Sequence, residues 1–170
     1  GKQFSPKAWS GKTSTEKVAL LNTFVGDALT TIDSSKDVVD MVQIGNETNN
    51  GIAGETSVVA MCELFNGGAA AVRAYNSNVK VVIHVTNPEK ATMTNWAQRL
   101  SANNVDYDIL GTSYYPYWHG TLANLKSQMN TVRSTYNKDV MVVETSYAYT
   151  LNDTDGHSNT VRVGNNDDIT

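Results

Sequence analysis

A parallel α/β fold is the class this sequence predicts, and three observations point to it. Helix-like and strand-like patterns alternate over residues 15–143. The first strand-like segment, residues 37–44, is nearly all apolar, the pattern of a strand covered on both faces. The C-terminal ends of the strand-like segments, near Ile44, Val85, Ser113 and Val143, follow one another at 41, 28 and 30 residues. Right-handed βαβ crossovers produce such spacing, and a (β/α)8 TIM barrel averages about 31 residues per unit over ~250 residues. Four units fit into 170 residues and eight do not. The chain is therefore either a small open sheet or about half of a barrel.

The elements follow in order. Residues 15–32 carry Val18, Leu21, Phe24 with Val25, and Ala28 with Leu29 at helical spacing, and Thr13 or Ser14 is a candidate N-cap. Residues 37–44 read as the first strand, with Val38, Val39, Met41, Val42 and Ile44 apolar, so both of its faces are expected to be covered. A second amphipathic helix spans 57–75 and a second strand 79–85. The third helix and strand fall at 94–102 and 107–114, the fourth helix at 122–136 and the fourth strand at 140–143. Residues 150–170 read as a long polar loop.

Composition narrows the function. One domain with a sizeable core is expected at this length. Hydrophobic residues make up 40% and charged residues 18%, which excludes a disordered chain. Acidic residues outnumber basic ones, 17 to 13, for a net charge of −4. That balance argues against a nucleic-acid partner, whose phosphates call for clustered Lys and Arg. No apolar run approaches the roughly 20 residues of a membrane span, and residues 1–6 hold no apolar stretch of the signal-peptide kind. The single cysteine, Cys62, excludes an intrachain disulfide and a multi-cysteine zinc site, and reads as a small buried hydrophobe. Trp96 reads as core, whereas Trp9 fits either a cleft or packing.

A nucleotide-binding open sheet would carry a glycine-rich phosphate turn, and neither G-x-G-x-x-G nor G-x-x-x-x-G-K-[ST] occurs. The strand ends carry other residues: Gly45-Asn46-Glu47, His84, Ser113-Tyr114-Tyr115-Pro116 and Glu144-Thr145. A barrel builds its active site at that end. Glu47 and Glu144, 97 residues apart, stand at the mouths of apolar strands, where a carboxylate is costly unless hydrogen-bonded. Either they cap or hinge the following loops, or they face each other as the carboxylate pair of glycoside hydrolysis. Trp118 either seals a core edge or offers its indole face to a sugar. His84 either makes a structural hydrogen bond or lines a cleft. Asp153, Asp155, His157 and Asn159 fall at every second position around Gly156, which suits a solvated loop or a hard cation such as calcium.

Four ordered motifs carry a family resemblance. They are Met41-Val42-Gln43-Ile44-Gly45-Asn46-Glu47, then His84-Val85-Thr86-Asn87-Pro88-Glu89, then Ser113-Tyr114-Tyr115-Pro116-Tyr117-Trp118-His119-Gly120-Thr121-Leu122, then Val142-Val143-Glu144-Thr145-Ser146-Tyr147. Together they resemble the bacterial endo-β-1,4-galactanases of glycoside hydrolase family 53, over nearly the whole chain. The resemblance implies that residues 1–170 are part of a single (β/α)8 catalytic domain, with strands similar to the fourth to seventh. It implies endo-acting hydrolysis of β-1,4-galactosidic bonds in galactan and type I arabinogalactan by a retaining mechanism. By motif match Glu47 is similar to the general acid/base, Glu144 to the nucleophile, and Asn46 to the asparagine that bonds the sugar 2-hydroxyl. His84, Tyr114, Tyr115, Trp118 and His119 are expected to line the substrate cleft. The nucleophile's charge is expected to raise the pKa of the acid.

The same resemblance implies a structural calcium held by Asp153, Asp155, His157 and Asn159. The implied partner is a polysaccharide, and a polymer that cannot enter a cell intact implies a secreted protein. Counterparts of the first three strands and the eighth are missing, so the open barrel edges are expected to promote self-association. The rival reading is a non-catalytic carbohydrate- or calcium-binding half-barrel completed by another chain. Retention of Asn46-Glu47 together with Glu144 favours the enzyme, because a binding module needs no such pair.

Overall fold

The computed structural model describes residues 4–147. Helix α1 (Ser14–Ile32), strand β1 (Met41–Ile44), helix α2 (Val58–Tyr75), strand β2 (Lys80–Val85), helix α3 (Thr92–Ala102), strand β3 (Ile109–Ser113), helix α4 (Leu122–Tyr136) and strand β4 (Asp139–Glu144) alternate along it. Single 3-10 turns stand at Lys7–Trp9, Thr48–Asn50 and Pro88–Lys90. The strands form one parallel sheet in the order β1-β2-β3-β4. Each strand pairs with the next in sequence, as in a barrel wall and unlike a doubly wound sheet, whose order reverses. The fold is half of a (β/α)8 barrel.

Alternation along the strands separates two faces. Val81, Ile83 and Val85 of β2 and Leu110 of β3 point to the helices, where they pack with Phe65, Val72, Met93, Trp96 and Leu100. Each such buried side chain contributes about 1.5–3 kcal/mol, so this layer dominates the stability of the described residues. Cys62 lies in the same layer, and burial pushes its thiol up to about 11, the behaviour of a packing residue and not of a nucleophile. Trp9 packs against the edge of this core. The opposite face, which a full barrel encloses, carries Val82 and His84 of β2 with Gly111 and Ser113 of β3.

Two local devices set the start and end of α1. Thr13 is its N-cap: Thr13 Oγ1 accepts from the Glu16 amide at 3.3 Å, while Glu16 Oε2 accepts from the Thr13 amide at 2.8 Å. Beyond the helix, Asp33 Oδ2 accepts from the amides of Val38 and Val39 at 2.9 and 3.1 Å and from the Tyr75 hydroxyl at 2.6 Å. These bonds withdraw Val38 and Val39 from the sheet ladder, so β1 starts at Met41 and not at residue 37 as the apolar run predicts. The expected double coverage of this segment also fails. Among the described residues β1 is an edge strand paired on one side only, and Val38 is 74% exposed.

The pairing of β3 with β4 is irregular at its end. Thr112 pairs with Val142, but Ser113 pairs with Glu144, which leaves Val143 as the extra residue of a bulge. Gly111 makes room for it. A Cβ at Gly111 would lie 2.8 Å from Val143 Cγ1 and 3.3 Å from Val82 Cγ1, and valine is too stiff at χ1 to yield easily. Gly111→Ala is therefore expected to lower stability by about 1–3 kcal/mol through overpacking, read from the urea midpoint. In a Val143→Ala background the same change is expected to cost less. An equal loss in both backgrounds would place the conflict elsewhere.

Candidate active site

The bulge decides where Glu144 points. Val140 and Val142 pack on the helix side, and strict alternation would send Glu144 the same way. The extra residue, Val143, turns Glu144 to the face of Ser113 and His84. Glu47 arrives there from the loop after β1. Its backbone is left-handed, with φ 45°, a conformation that costs a non-glycine residue about 1–2 kcal/mol. That turn aims its amide at His84 Nδ1, 3.3 Å away, while its Oε1 accepts from Ser113 Oγ at 2.7 Å.

One carboxylate oxygen each of Glu47 and Glu144 and a ring nitrogen of His84 all lie within 4.8 Å of one another. The phenol of Tyr115 donates to Glu144 Oε1. That bond, more than burial or the charge of Glu144, pushes the phenol up to about 12, so Tyr115 keeps its proton. Burial pulls the Glu47 carboxyl upward, but hydrogen bonds from the Ser113 and Thr86 hydroxyls outweigh it and hold the group below the usual range. The expectation of a raised Glu47 is thus corrected for this chain: donors outweigh a desolvation that is only partial. For His84, burial lowers the imidazole pKa more than Glu47 and Glu144 raise it, so the ring is neutral.

The carboxylates open onto a cleft of about 520 Å³, lined also by Tyr115, Tyr117, Trp118 and His119, with Asn50, Thr86 and Asn87 at its side. Trp118 is 45% exposed and tilts against Tyr115 and Tyr117, with ring centroids 5.7 and 5.6 Å away. His119 is mostly buried at the cleft wall, and its Nδ1 accepts from the Tyr115 amide at 3.0 Å. Asn46 stands exposed at the end of β1, next to Glu47. A wider recess of about 740 Å³ lies at the other end of the sheet. There Asp108 and Asp139 stand among Lys80, Arg133 and Lys138, a mixed-charge surface at the end of a barrel that serves stability.

Two expected cleft residues do not face the cleft. His84 is 1% exposed and lies beneath Glu47, and Tyr114 is 5% exposed with its hydroxyl donating to the Gly120 carbonyl at 2.9 Å. Burial turns both from substrate contact to support of the loops above them. Asp153, Asp155, His157 and Asn159 lie outside the described residues. Sequence reasoning passed over Ser113 as a partner of Glu47, and over Thr86, Asn87 and Tyr117 in the cleft. Their one signal was position, within a few residues of a strand end.

A parallel half-barrel with two glutamates meeting at the C-terminal ends of its strands is the framework of a (β/α)8 glycoside hydrolase. The chain belongs to glycosyl hydrolase family 53, whose sequence model matches residues 1–169. It is 50% identical over 160 residues to the endo-beta-1,4-galactanase of Bacillus subtilis (strain 168), a match covering 94% of this chain and 37% of that protein. It is 38% identical over 173 residues to the arabinogalactan endo-beta-1,4-galactanase of Cellvibrio japonicus (strain Ueda107), covering 93% of this chain and 46% of that one. The solved Ignisphaera aggregans GH53 catalytic domain superposes with a TM-score of 0.85 at 35% identity, over 93% of this chain and 45% of its own. The chain thus spans less than half the length of these relatives.

Proposed function

We propose that this chain is the part of an endo-acting galactanase that bears its catalytic pair. The reaction is hydrolysis of β-1,4-galactosidic bonds in galactan and type I arabinogalactan, with retention of configuration. The observation that carries this reading is the approach of Glu47 and Glu144 to within 4.8 Å, oxygen to oxygen, at the strand ends. Retaining enzymes hold their carboxyls ~5–5.5 Å apart, whereas inverting ones leave ~6.5–9.5 Å for a water. The galactanases among its relatives support the substrate class.

Glu144 is the nucleophile. Tyr115 occupies its Oε1, which leaves the other oxygen to attack the anomeric carbon. Glu47 gives its proton to the leaving oxygen as the glycosyl-enzyme forms, then takes one from the water that hydrolyses it. A sugar filling the cleft strips water from Glu47 and raises its pKa toward the protonated form that the first step needs. Trp118 offers an exposed indole face for a galactose ring, and Asn46, beside Glu47, bonds the 2-hydroxyl. A polymeric substrate sets this reaction outside the cell. Among the described residues no helix is long and apolar enough to cross a membrane.

The roles separate by nucleophile rescue, with residues 1–170 carried in a chain of the relatives' full length. Glu144→Ala is expected to abolish the glycosyl-enzyme, and added azide then gives the inverted, α-configured glycosyl azide. Glu47→Ala is expected to retain glycosylation by substrates with good leaving groups, and azide gives the β-product. The opposite pattern reverses the assignment.

Calcium belongs to the proposal as a structural ion. Asp153, Asp155 and Asn159 supply the oxygen donors a hard cation prefers, and His157 is the unusual member of the set. An ion that binds only the folded chain stabilises it by mass action. Chelator is therefore expected to lower the melting midpoint, and an unchanged midpoint removes calcium from the proposal.

Self-association follows from the edges. Among the described residues β1 and β4 each have an unpaired side, and Phe24, Ile32 and Met41 are exposed near the β1 edge. The isolated 170-residue chain is expected to associate and to show little activity on β-1,4-galactan. Light scattering and a reducing-sugar assay check both, and a stable, fully active monomer overturns this expectation.

A further inference from the structure

The surroundings of His84 satisfy its hydrogen-bonding needs in a single direction. At 1% exposure, both ring nitrogens need partners within the protein. Two N–H groups converge on Nδ1, the Gln43 side-chain amide at 3.2 Å and the Glu47 backbone amide at 3.3 Å. The identity of the Gln43 nitrogen is set independently, since it also donates to the Gly45 carbonyl at 2.7 Å. A ring nitrogen that accepts carries no proton, so the hydrogen of the neutral imidazole sits on Nε2. Nε2 then donates to Ser113 Oγ at 2.9 Å, and the single hydroxyl hydrogen of Ser113 goes to Glu47 Oε1 at 2.7 Å. The chain of bonds begins at the backbone of Glu47 and ends on its own side chain.

We propose that His84 and Ser113 are positioning residues that keep Oε1 of Glu47 a permanent acceptor, so that the catalytic proton resides on Oε2. This rests on the reading of Glu47 as the acid/base. A proton on Oε1 would face the Ser113 hydroxyl hydrogen, donor against donor. Reversing the chain would require a hydrogen on Nδ1, where it would meet the two N–H groups of Gln43 and Glu47. Burial keeps the ring from becoming an imidazolium. The other titratable groups at this point are Glu144, whose Oε1 is taken by Tyr115, and Tyr115 itself, which stays protonated. The Thr86 hydroxyl also bonds the Glu47 carboxyl, and it is free to rotate and serve either protonation state. Since the Ser113 bond favours the carboxylate form, its loss raises the pKa of Glu47.

The test uses residues 1–170 in a chain of the relatives' full length. Ser113→Ala is expected to lower kcat on galactan, whose leaving alkoxide needs the proton, by about 10–100-fold. On a dinitrophenyl galactoside, whose leaving group needs no proton, the loss is expected to stay below about 3-fold. The basic limb of the kcat/KM profile is expected to move to higher pH, and Ser113→Thr restores both properties. Equal losses on the two substrates with an unmoved basic limb overturn the proposal and leave Ser113 a structural hydroxyl. Glu47→Ala serves as the reference. If it shows no dependence on leaving group, the acid/base reading fails; if it does and Ser113→Ala does not, only the positioning role fails. A measurement on the unaltered chain avoids any folding defect. Its 15N spectrum is expected to show His84 as the neutral Nε2–H tautomer at about pH 7, and a hydrogen on Nδ1 overturns the proposal.

Discussion

A buried imidazole must bond at both of its nitrogens, and His84 meets that requirement by joining three strands at one point. From β2 it receives the side-chain amide of Gln43 in β1 and the backbone amide of Glu47, and it gives its hydrogen to Ser113 at the end of β3. The carboxylate of Glu47 is therefore fixed through two other elements before any substrate arrives. The left-handed turn at Glu47, which costs about 1–2 kcal/mol, is offset by the bonds it permits and by the apolar layer behind the sheet. Strain of this kind is tolerated where the surrounding structure over-determines it.

The second carboxylate depends on a different constraint. Parallel strands fix side-chain direction by parity, and a shift of one residue reverses it. Val143 supplies that shift, and the missing side chain of Gly111 supplies its space. Tyr114 closes the irregular end by donating its amide to the Glu144 carbonyl at 2.8 Å. Position along the strand brings Glu144 to the mouth, and the bulge turns it inward. Neither would be enough by itself.

The loop between β3 and α4 is tied to itself by hydrogen bonds. Tyr114 bonds the Gly120 carbonyl, and His119 accepts from the Tyr115 amide, so the two ends of the loop are tied across its tip. This leaves Trp118 projecting over the cleft with Tyr115 and Tyr117 against it, and Tyr117 stacked on Tyr147 at 5.1 Å. An aromatic surface held in place before binding loses less freedom when a sugar stacks on it.

Much of this was legible in the sequence. Apolar runs alternating with helical periodicity announced four strands between helices and placed α1, α2 and α4 within one residue of their observed ends, while the double coverage expected of β1 is found instead at β2 and β3. Glu47 and Glu144 stood out because a carboxylate beside an apolar run has no local reason to be there. Other features were beyond reach, since each depends on a partner distant in the chain. Val38 and Val39 read as strand, but an aspartate that closes the preceding helix captures their amides. His84 and Tyr114 read as cleft residues, but the packing of neighbouring strands and loops covers them. Residue type and spacing determined that two glutamates would gather at one end of a parallel sheet. Only the tertiary structure decided which way each points and what holds it, because a one-residue bulge and a bonded imidazole leave no periodic trace in a sequence.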